Sequence, residues 1–308
     1  MRVLQVGLGN QGCKRCDVAG KDIIARVDPI NPKAEYKSLH EAPVDSFDAA
    51  ILSTPDAFKL GLAEYLISKG KHVLVEKPLL ARDDRQIIEL AKLARSTGAV
   101  CYTAYNHRFE PNIKALKSLL DSGEIGSVYV ARFFYGNGTA RNVKASWRDE
   151  GLGVLSDLGS HLIDLSAFLF GAVHPKFVAW SLKRFENRAL DYVLLGSSSF
   201  PSIQVEATYL SWRNTFAVDA LCELGSAHVR GLCKWGTSTF VIRRRVFPSG
   251  TPHEVVKTVD GLDATWAEEY QHFKQLCRRN GPSSFEKDLW INSVLNDIVQ
   301  AWGDKLPS

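Results

Sequence analysis

The chain has 308 residues, of which 45% are hydrophobic and 23% charged, with a formal net charge of +4. This length predicts two domains, because single hydrophobic cores rarely grow so large. The composition excludes an extensively disordered chain. The small net charge gives no indication of a nucleic acid or an anionic membrane as a partner.

No apolar run reaches the roughly 20 residues of a membrane helix, so we expect no membrane span. A strand pattern starts at the second residue and leaves no room for a signal peptide, which predicts a cytoplasmic protein. The six cysteines are then expected to be reduced thiols. Cys13 and Cys16 form a CxxC pair, but no second pair completes a metal site, so we predict no metal. Packing on a helix face explains the pair, and a redox role stays open.

The first hundred residues alternate strand and helix patterns, at spacings typical of right-handed βαβ crossovers. They predict strands near 2–6, 23–28, 48–52, 72–75 and 99–103, and helices over 11–20, 57–69 and 81–96. We therefore expect an α/β fold whose first domain, residues 1–111, is a Rossmann-like doubly wound parallel sheet.

A different pattern follows Pro111. It predicts a helix over 112–121, strands over 127–135, 202–209, 214–222, 226–230 and 238–246, a helix after Gly159, and helices over 264–279 and 286–302. Several of these strands follow one another without helical crossovers, which indicates antiparallel pairing. We expect residues 112–308 to form an α+β domain with a large open-faced, mainly antiparallel sheet, which binds substrate and mediates oligomerisation.

A glycine-rich motif lies between the first strand and the first helix. Gly7, Gly9 and Gly12 enclose Leu8, Asn10 and Gln11 in the order GxGxxG. Such glycines allow a tight turn, a close approach of the backbone to a pyrophosphate, and close packing of helix on strand. A purely structural glycine turn is the alternative, but the position between strand and helix favours dinucleotide binding.

Two further segments indicate the same ligand. Asp28 ends the second strand, 21 residues after Gly7, where a carboxylate accepts the ribose hydroxyls of NAD and repels the 2′-phosphate of NADP. Arg26 and Lys33 could soften this preference, so we expect NAD ahead of NADP. The third strand ends in Ser53, Thr54 and Pro55, which should line the cofactor or simply start the next helix.

The candidate catalytic residues come from two segments. Lys77 follows the fourth strand within Glu76-Lys77-Pro78, where the proline restricts the backbone and fixes the direction of the ammonium, although a lysine after a strand is usually solvated. Asp157 and His161 are four residues apart and so share one helix face. An acid–imidazole pair suits proton transfer from a hydroxyl. The alternative is a helix cap with a buried structural histidine.

A basic and aromatic segment precedes this pair, with Arg141, Lys144, Trp147 and Arg148. It suits sugar hydroxyls, a carboxylate or a phosphate, although a solvated loop is the simpler interpretation for the first two. The run 243–245 consists of arginines on alternating faces of a strand, which indicates a solvated or interface edge.

These motifs in this order resemble the family of glucose–fructose oxidoreductase, inositol dehydrogenase and MocA. The resemblance covers nearly the whole chain. It is carried by the glycine motif, Thr54-Pro55, Glu76-Lys77-Pro78, Asn106-His107-Arg108-Phe109, Trp147-Arg148, and Asp157, His161 and Asp164. Leu152 and Phe58 depart from the usual pattern of the family and leave the shape of the substrate pocket open.

The resemblance implies particular roles. Lys77, Asp157 and His161 would be catalytic and, with Trp147 and Arg148, would contact substrate. Glu76, Lys77 and Asn106 would join the glycine motif, Asp28 and residues 53–55 around the dinucleotide, although a structural role is equally consistent for Asn106, His107 and Arg108.

The implied function is NAD(P)-dependent hydride transfer at a hydroxyl or carbonyl carbon of a sugar, inositol or sugar derivative. Alternatives are an NAD-dependent glycoside hydrolase of the same family and a non-catalytic dinucleotide sensor, against which the intact catalytic trio argues. The open sheet also predicts a homodimer or homotetramer.

Overall fold

The amino-terminal strands form a five-stranded parallel sheet with the order β2-β1-β3-β4-β5. Its strands are β1 (Val3–Val6), β2 (Ile23–Val27), β3 (Ala49–Leu52), β4 (His72–Glu76) and β5 (Cys101–Ala104), and its crossover helices are α1 (Asn10–Ala19), α2 (Asp56–Ser68) and α3 (Asp84–Thr97). This computed structural model describes residues 1–171 and 175–303. The predicted strands and helices of this half are confirmed to within a few residues.

Short apolar runs form this sheet because most of its strands are covered on both faces. Every residue of β1, β3 and β5 is buried, as is usual for parallel sheets. One face packs against α2 and α3 in a core that includes Leu4, Leu52 and Ile87. The carboxyl ends of the strands therefore present their loops at one edge, where open α/β sheets bind ligands.

The other face of the parallel sheet is covered by a helix from the end of the chain. In the core there, Val3 and Tyr102 pack with Tyr270, Phe273 and Cys277. The last three residues lie on helix α6 (Thr265–Arg279). The structure accordingly divides into unit 1, Met1–Asn106 with Ala264–Ser293, and unit 2, His107–Asp263 with the chain from Val294. The sequence-based boundary at residue 111 had assigned the carboxyl-terminal helices to the second domain. Their amphipathic pattern predicts an apolar face but not which core it covers.

Unit 2 is built on an eight-stranded sheet with the order β13-β12-β11-β10-β6-β9-β8-β7. Its strands are β6 (Val128–Gly136), β7 (Val178–Lys183), β8 (Tyr192–Ser197), β9 (Ser202–Thr208), β10 (Thr215–Cys222), β11 (Gly225–Arg230), β12 (Ser238–Arg244) and β13 (Glu254–Val259), and the helices are α4 (Pro111–Asp121), α5 (Ser160–Phe170) and, beginning within unit 1, α7 (Phe285–Trp302). Helices α4 and α5 contact this sheet. The predicted large, mainly antiparallel sheet is confirmed.

Some features of this sheet were not predicted. Strands β6 and β9 pair in parallel, because the connection between them contains α5 and the β7–β8 hairpin. Strands β7, β8 and β13 were missing from the prediction. Most of β13 is exposed, so it lacks the alternation that identifies a half-buried strand. None of the helices in the described ranges is long and apolar enough to cross a lipid bilayer.

Candidate active site

The glycine motif forms a tight turn between β1 and α1. Gly7 has a φ of 88°, and a Cβ on Gly12 would lie 1.9 Å from the Gly7 carbonyl oxygen. A Cβ on Gly9 would meet nothing within 4 Å. The protein itself therefore requires glycine at positions 7 and 12, whereas position 9 leaves open space beside the helix. A ligand that approaches the backbone closely explains a glycine there.

The start of α1 can accept an anion. Gly9 is the N-cap and no side chain caps the helix, and its first turn contains no acidic residue. The amides of Asn10, Gln11 and Gly12 belong to this first turn, which has no acceptors within the helix. Nearby, the hydroxyl oxygens of Ser53 and Thr54 are buried and have no hydrogen-bond partner in the described part of the chain. These donors fit the pyrophosphate of a dinucleotide.

Residues 53–55 do not start α2 in the way that the alternative interpretation assumed. Pro55 occupies the N-cap position, and neither Ser53 nor Thr54 caps the helix with its side chain. A helix-capping role therefore does not explain the two hydroxyl groups. Their position after β3, at the carboxyl edge of the sheet, agrees with the predicted cofactor-lining loop.

The Asp28 carboxylate connects the end of β2 to the glycine turn. It accepts hydrogen bonds from the amides of Leu8 at 2.7 Å, Asn31 at 2.8 Å and Ile30 at 2.9 Å. Burial raises the pKa of Asp28, but these amides and Lys37 outweigh that effect and lower it. Because its pKa is lowered, Asp28 stays ionised. A carboxylate has about four acceptor positions, so Asp28 can accept about one further hydrogen bond.

Glu76 belongs to a buried cluster of charges. Its carboxylate lies 2.6 Å from Arg15 Nε, and Arg15 also pairs with Glu269 at 2.8 Å. The Arg15 guanidinium lies over the Trp266 ring, 4.2 Å from its centroid. Burial raises the pKa of Glu269 to about 7 despite the attraction of Arg15. The predicted cofactor residue Glu76 is thus held by α1 directly before Lys77.

Lys77 is half-buried and precedes Pro78 through a cis peptide bond. The carbonyl oxygens of Lys77 and Pro78 accept hydrogen bonds from the buried Lys59 ammonium at 3.1 and 3.2 Å. Lys59 also pairs with Asp56 at 2.6 Å. The backbone around Lys77 is therefore fixed by a side chain of α2.

Asn106 follows β5 and is buried. Its side-chain amide donates to the Thr265 hydroxyl at 2.8 Å, at the beginning of α6. This contact supports a structural role within unit 1, and the amide carbonyl oxygen can still accept from a ligand.

Asp157 and His161 lie together in unit 2. Asp157 is in a π-helical turn, Leu155–Gly159, that leads into α5, and both residues are at least 93% buried. One Asp157 carboxylate oxygen accepts from the Tyr209 hydroxyl at 3.1 Å and lies 3.1 Å from Arg148 Nε. Arg148 supplies the countercharge for the Asp157 carboxylate. Burial together with Asp157 raises the pKa of Tyr209.

Arg148 is also in contact with its neighbour Trp147. The guanidinium carbon lies 5.0 Å from the Trp147 ring centroid, while 60% of the Trp147 surface is exposed. The Trp147 ring therefore offers an exposed apolar face next to the guanidinium that pairs with Asp157. Arg141 instead forms an exposed contact with Glu186 at 3.6 Å, as the solvated-loop interpretation expected.

A second histidine lies beside His161. The ring centroids of His107 and His161 are 4.0 Å apart, with a tilt of 33°. Lys234 approaches the same group, with its ammonium 3.1 Å from the Tyr135 hydroxyl and 3.5 Å from His107 Nε2. Burial lowers the pKa of Lys234, although the negative charges of Asp263 and other acidic groups oppose this effect.

Several other predicted residues lie outside this arrangement. Arg108 binds Asp164 through two hydrogen bonds of 2.6 and 2.7 Å, which ties the segment after β5 to α5. Arg243 and Arg244 pair with Glu254 and Glu124 at the sheet surface. Cys13 and Cys16 are free thiols on α1, and Cys13 is exposed.

Three buried charged residues were not identified from the sequence, although their positions in it indicate burial. Arg15, Lys59 and Glu269 each occupy a position on the buried stripe of their helix, where apolar residues are expected. A charged residue on such a stripe indicates a partner in the interior. Tyr135, Tyr209 and Lys234 had no local signal, because only the pairing of distant strands brings them to His161 and Asp157.

Comparison with known proteins agrees with this architecture. Residues 20–105 match a family model described as "Oxidoreductase family, NAD-binding Rossmann fold", and residues 113–227 match one described as "GFO/IDH/MocA C-terminal domain". The first match begins after the glycine turn, so the geometry of the turn is separate support. The structure also resembles that of levoglucosan dehydrogenase in complex with NADH and levoglucosan, with a TM-score of 0.82 over 99% of this chain and 98% of that one. At 17% identity, this likeness shows the fold alone.

Curated relatives match about half of the chain. "Uncharacterized oxidoreductase YdgJ" of Escherichia coli (strain K12) is 34% identical over 142 residues, which are 45% of this chain and 40% of that protein. "scyllo-inositol 2-dehydrogenase (NADP(+)) IolW" of Bacillus subtilis (strain 168) is 30% identical over 168 residues, 52% of this chain and 46% of that protein. The matches thus span less than half of the length of these relatives. Because the two domain models come from one family and together match well over half of the chain, the chain belongs to the Gfo/Idh/MocA oxidoreductase family.

Proposed function

We propose that the protein is an NAD(P)-dependent oxidoreductase that transfers a hydride between nicotinamide and a hydroxyl or carbonyl carbon of a sugar, inositol or related polyol. The observation that carries the proposal is the uncapped start of α1 beside Gly9, where the backbone amides and an open space suit a pyrophosphate. Family membership and the names of the relatives support the substrate class.

In this proposal, Gly7, Gly9, Asn10, Gln11 and Gly12 bind the pyrophosphate. The hydroxyls of Ser53 and Thr54 and the side chain of Asn106 supply further polar contacts. A bound dinucleotide supplies the hydride acceptor or donor.

The chain's own groups handle the proton. For alcohol oxidation, His161 accepts the hydroxyl proton on its imidazole while Lys77 donates a hydrogen bond to the same oxygen and stabilises its developing negative charge. Asp157 orients the substrate, and its ion pair with Arg148 holds the carboxylate in place. Trp147 offers its exposed face to the sugar ring. In the reductive direction, His161 returns the proton.

For the cofactor, we propose NAD ahead of NADP because Asp28 stays ionised and would repel a 2′-phosphate. The relatives support a nicotinamide dinucleotide without deciding between the two, since one is named for NADP(+) and the other was solved with NADH.

The test is a panel of sugars, inositols, sugar nucleotides and glycosides, each incubated with NAD⁺ and with NADP⁺. We expect production of NADH, measured by absorbance, together with the oxidised sugar. Glycoside cleavage without net cofactor turnover would replace the dehydrogenase with a hydrolase. Dinucleotide binding by calorimetry with no turnover on the panel in either direction would favour a sensor.

We also propose that the outward face of the eight-stranded sheet associates with a second copy of the chain, giving a homodimer or homotetramer. Half-exposed apolar side chains on that face include Phe134 and Leu194, which alternate with buried residues along their strands. Sedimentation velocity measures the assembly, and Leu194→Glu should shift it toward the monomer.

A further inference from the structure

Lys59 is a charged residue on the buried stripe of α2, where it shares one helix face with Ala63, Leu66 and Ile67. Only 3% of its surface is exposed. A buried ammonium is costly unless each of its protons has an acceptor, so its contacts are informative.

The three protons of the Lys59 ammonium have three acceptors. These are the Asp56 carboxylate at 2.6 Å, the Lys77 carbonyl at 3.1 Å and the Pro78 carbonyl at 3.2 Å. Asp56 supplies the countercharge from one helical turn earlier, and the two carbonyls belong to consecutive residues after β4. An ammonium has three donors, so its hydrogen-bonding capacity is filled by this arrangement.

We infer that Lys59 is a positioning residue that fixes the backbone from which the Lys77 side chain projects. Two consecutive carbonyls held by one ammonium determine the orientation of the peptide planes on both sides of Pro78. The direction of the Lys77 Cα–Cβ bond follows from the first of these planes. The importance of this for turnover rests on the proposed function, whereas the positioning itself is a property of unit 1.

Competitive labelling with acetic anhydride tests the inference without a substrate. Each lysine is acetylated in trace amounts over a range of pH, and peptide mass spectrometry gives its rate and pKa. The variant is Lys59→Met, which keeps the length of the side chain and removes the ammonium. The matched control is Lys71→Met, since Lys71 also donates to a carbonyl of unit 1, that of Phe47 at 2.9 Å.

In Lys59→Met we expect the acetylation of Lys77 to accelerate by about threefold or more toward the rate of the exposed Lys92, because the released segment opens locally. The Lys71→Met variant should leave the Lys77 rate unchanged. An unchanged Lys77 rate in folded Lys59→Met would overturn the inference, as would an equal acceleration in both variants.

Two further measurements separate the possible failures. If Lys59→Met does not fold, labelling of the wild-type protein still tests the inference. Acetylation of Lys59 at the rate of the exposed Lys92 would contradict the buried arrangement. With any substrate found on the panel, Lys59→Met should slow turnover in the wild-type background but not in the Lys77→Ala background. Normal turnover of Lys77→Ala refutes the proposed role of Lys77, whereas equal slowing in both backgrounds refutes positioning through it.

Discussion

The imidazole rings of His107 and His161 lie 4.0 Å apart, and the Lys234 ammonium lies 3.5 Å from Nε2 of His107. A positive charge at this position disfavours a second one on either ring. The arrangement therefore sets a cation beside the imidazole pair, and a neutral His161 is the form that can accept a proton from a hydroxyl.

Lys234→Met removes that positive charge and should stabilise the imidazolium form of His161. The pKa that controls the rise of kcat with pH in the oxidative direction should then increase. Measurement of kcat from acidic to alkaline pH checks this, with the exposed Lys144→Met as the control. If kcat of Lys234→Met rises over the same pH range as kcat of the wild type, Lys234 does not affect the pKa of the histidine.

Lys77→Ala and His161→Ala should each retain dinucleotide binding but lose turnover by about 10²–10⁴-fold, the usual contribution of a positioned proton-transfer or charge-stabilising group. Calorimetric titration with NADH measures binding, and steady-state kinetics measure turnover. Near-normal turnover in either variant would refute the role assigned to that residue.

Asp28→Ser should weaken NAD binding more than NADP binding, since it removes the carboxylate that repels a 2′-phosphate. The variant also loses acceptors for the amides of Leu8, Ile30 and Asn31, so its melting temperature should fall. Dissociation constants for both dinucleotides, measured below that temperature, give the preference. If the ratio of the two constants is unchanged, Asp28 serves only to hold the glycine turn.

Glu269 should make the stability of the protein depend on pH. Its pKa is raised from 4.5 to about 7 in the folded chain, so between these values the folded state binds more protons than the unfolded state. The free energy of unfolding therefore falls as the pH rises through this range. Glu269→Gln, which does not titrate, should flatten that slope in urea unfolding series, while the exposed Glu286→Gln should leave it unchanged.

The parallel sheet could be predicted from the sequence because its signals are local. Short buried runs, the glycine turn and the acid at position 28 all lie close together in the chain. The Asp157–His161 pair was likewise detectable from helical spacing alone.

What could not be predicted depends on contacts between distant segments. His107 and Lys234 are 127 positions apart in the chain, and only the folding of unit 2 brings them together. The coverage of β1 and β5 by α6 has the same origin, since an amphipathic helix does not specify the core that it covers.

The second face of the parallel sheet has a consequence for biosynthesis. Val3, Leu74, Val100 and Tyr102 are covered by residues of α6, which leaves the ribosome more than 160 residues after β5. During translation, the nascent sheet therefore exposes an apolar surface while all of the unit 2 strands are synthesised. A surface of this kind is where chaperones bind, and it ties completion of the dinucleotide-binding half to the last part of the chain.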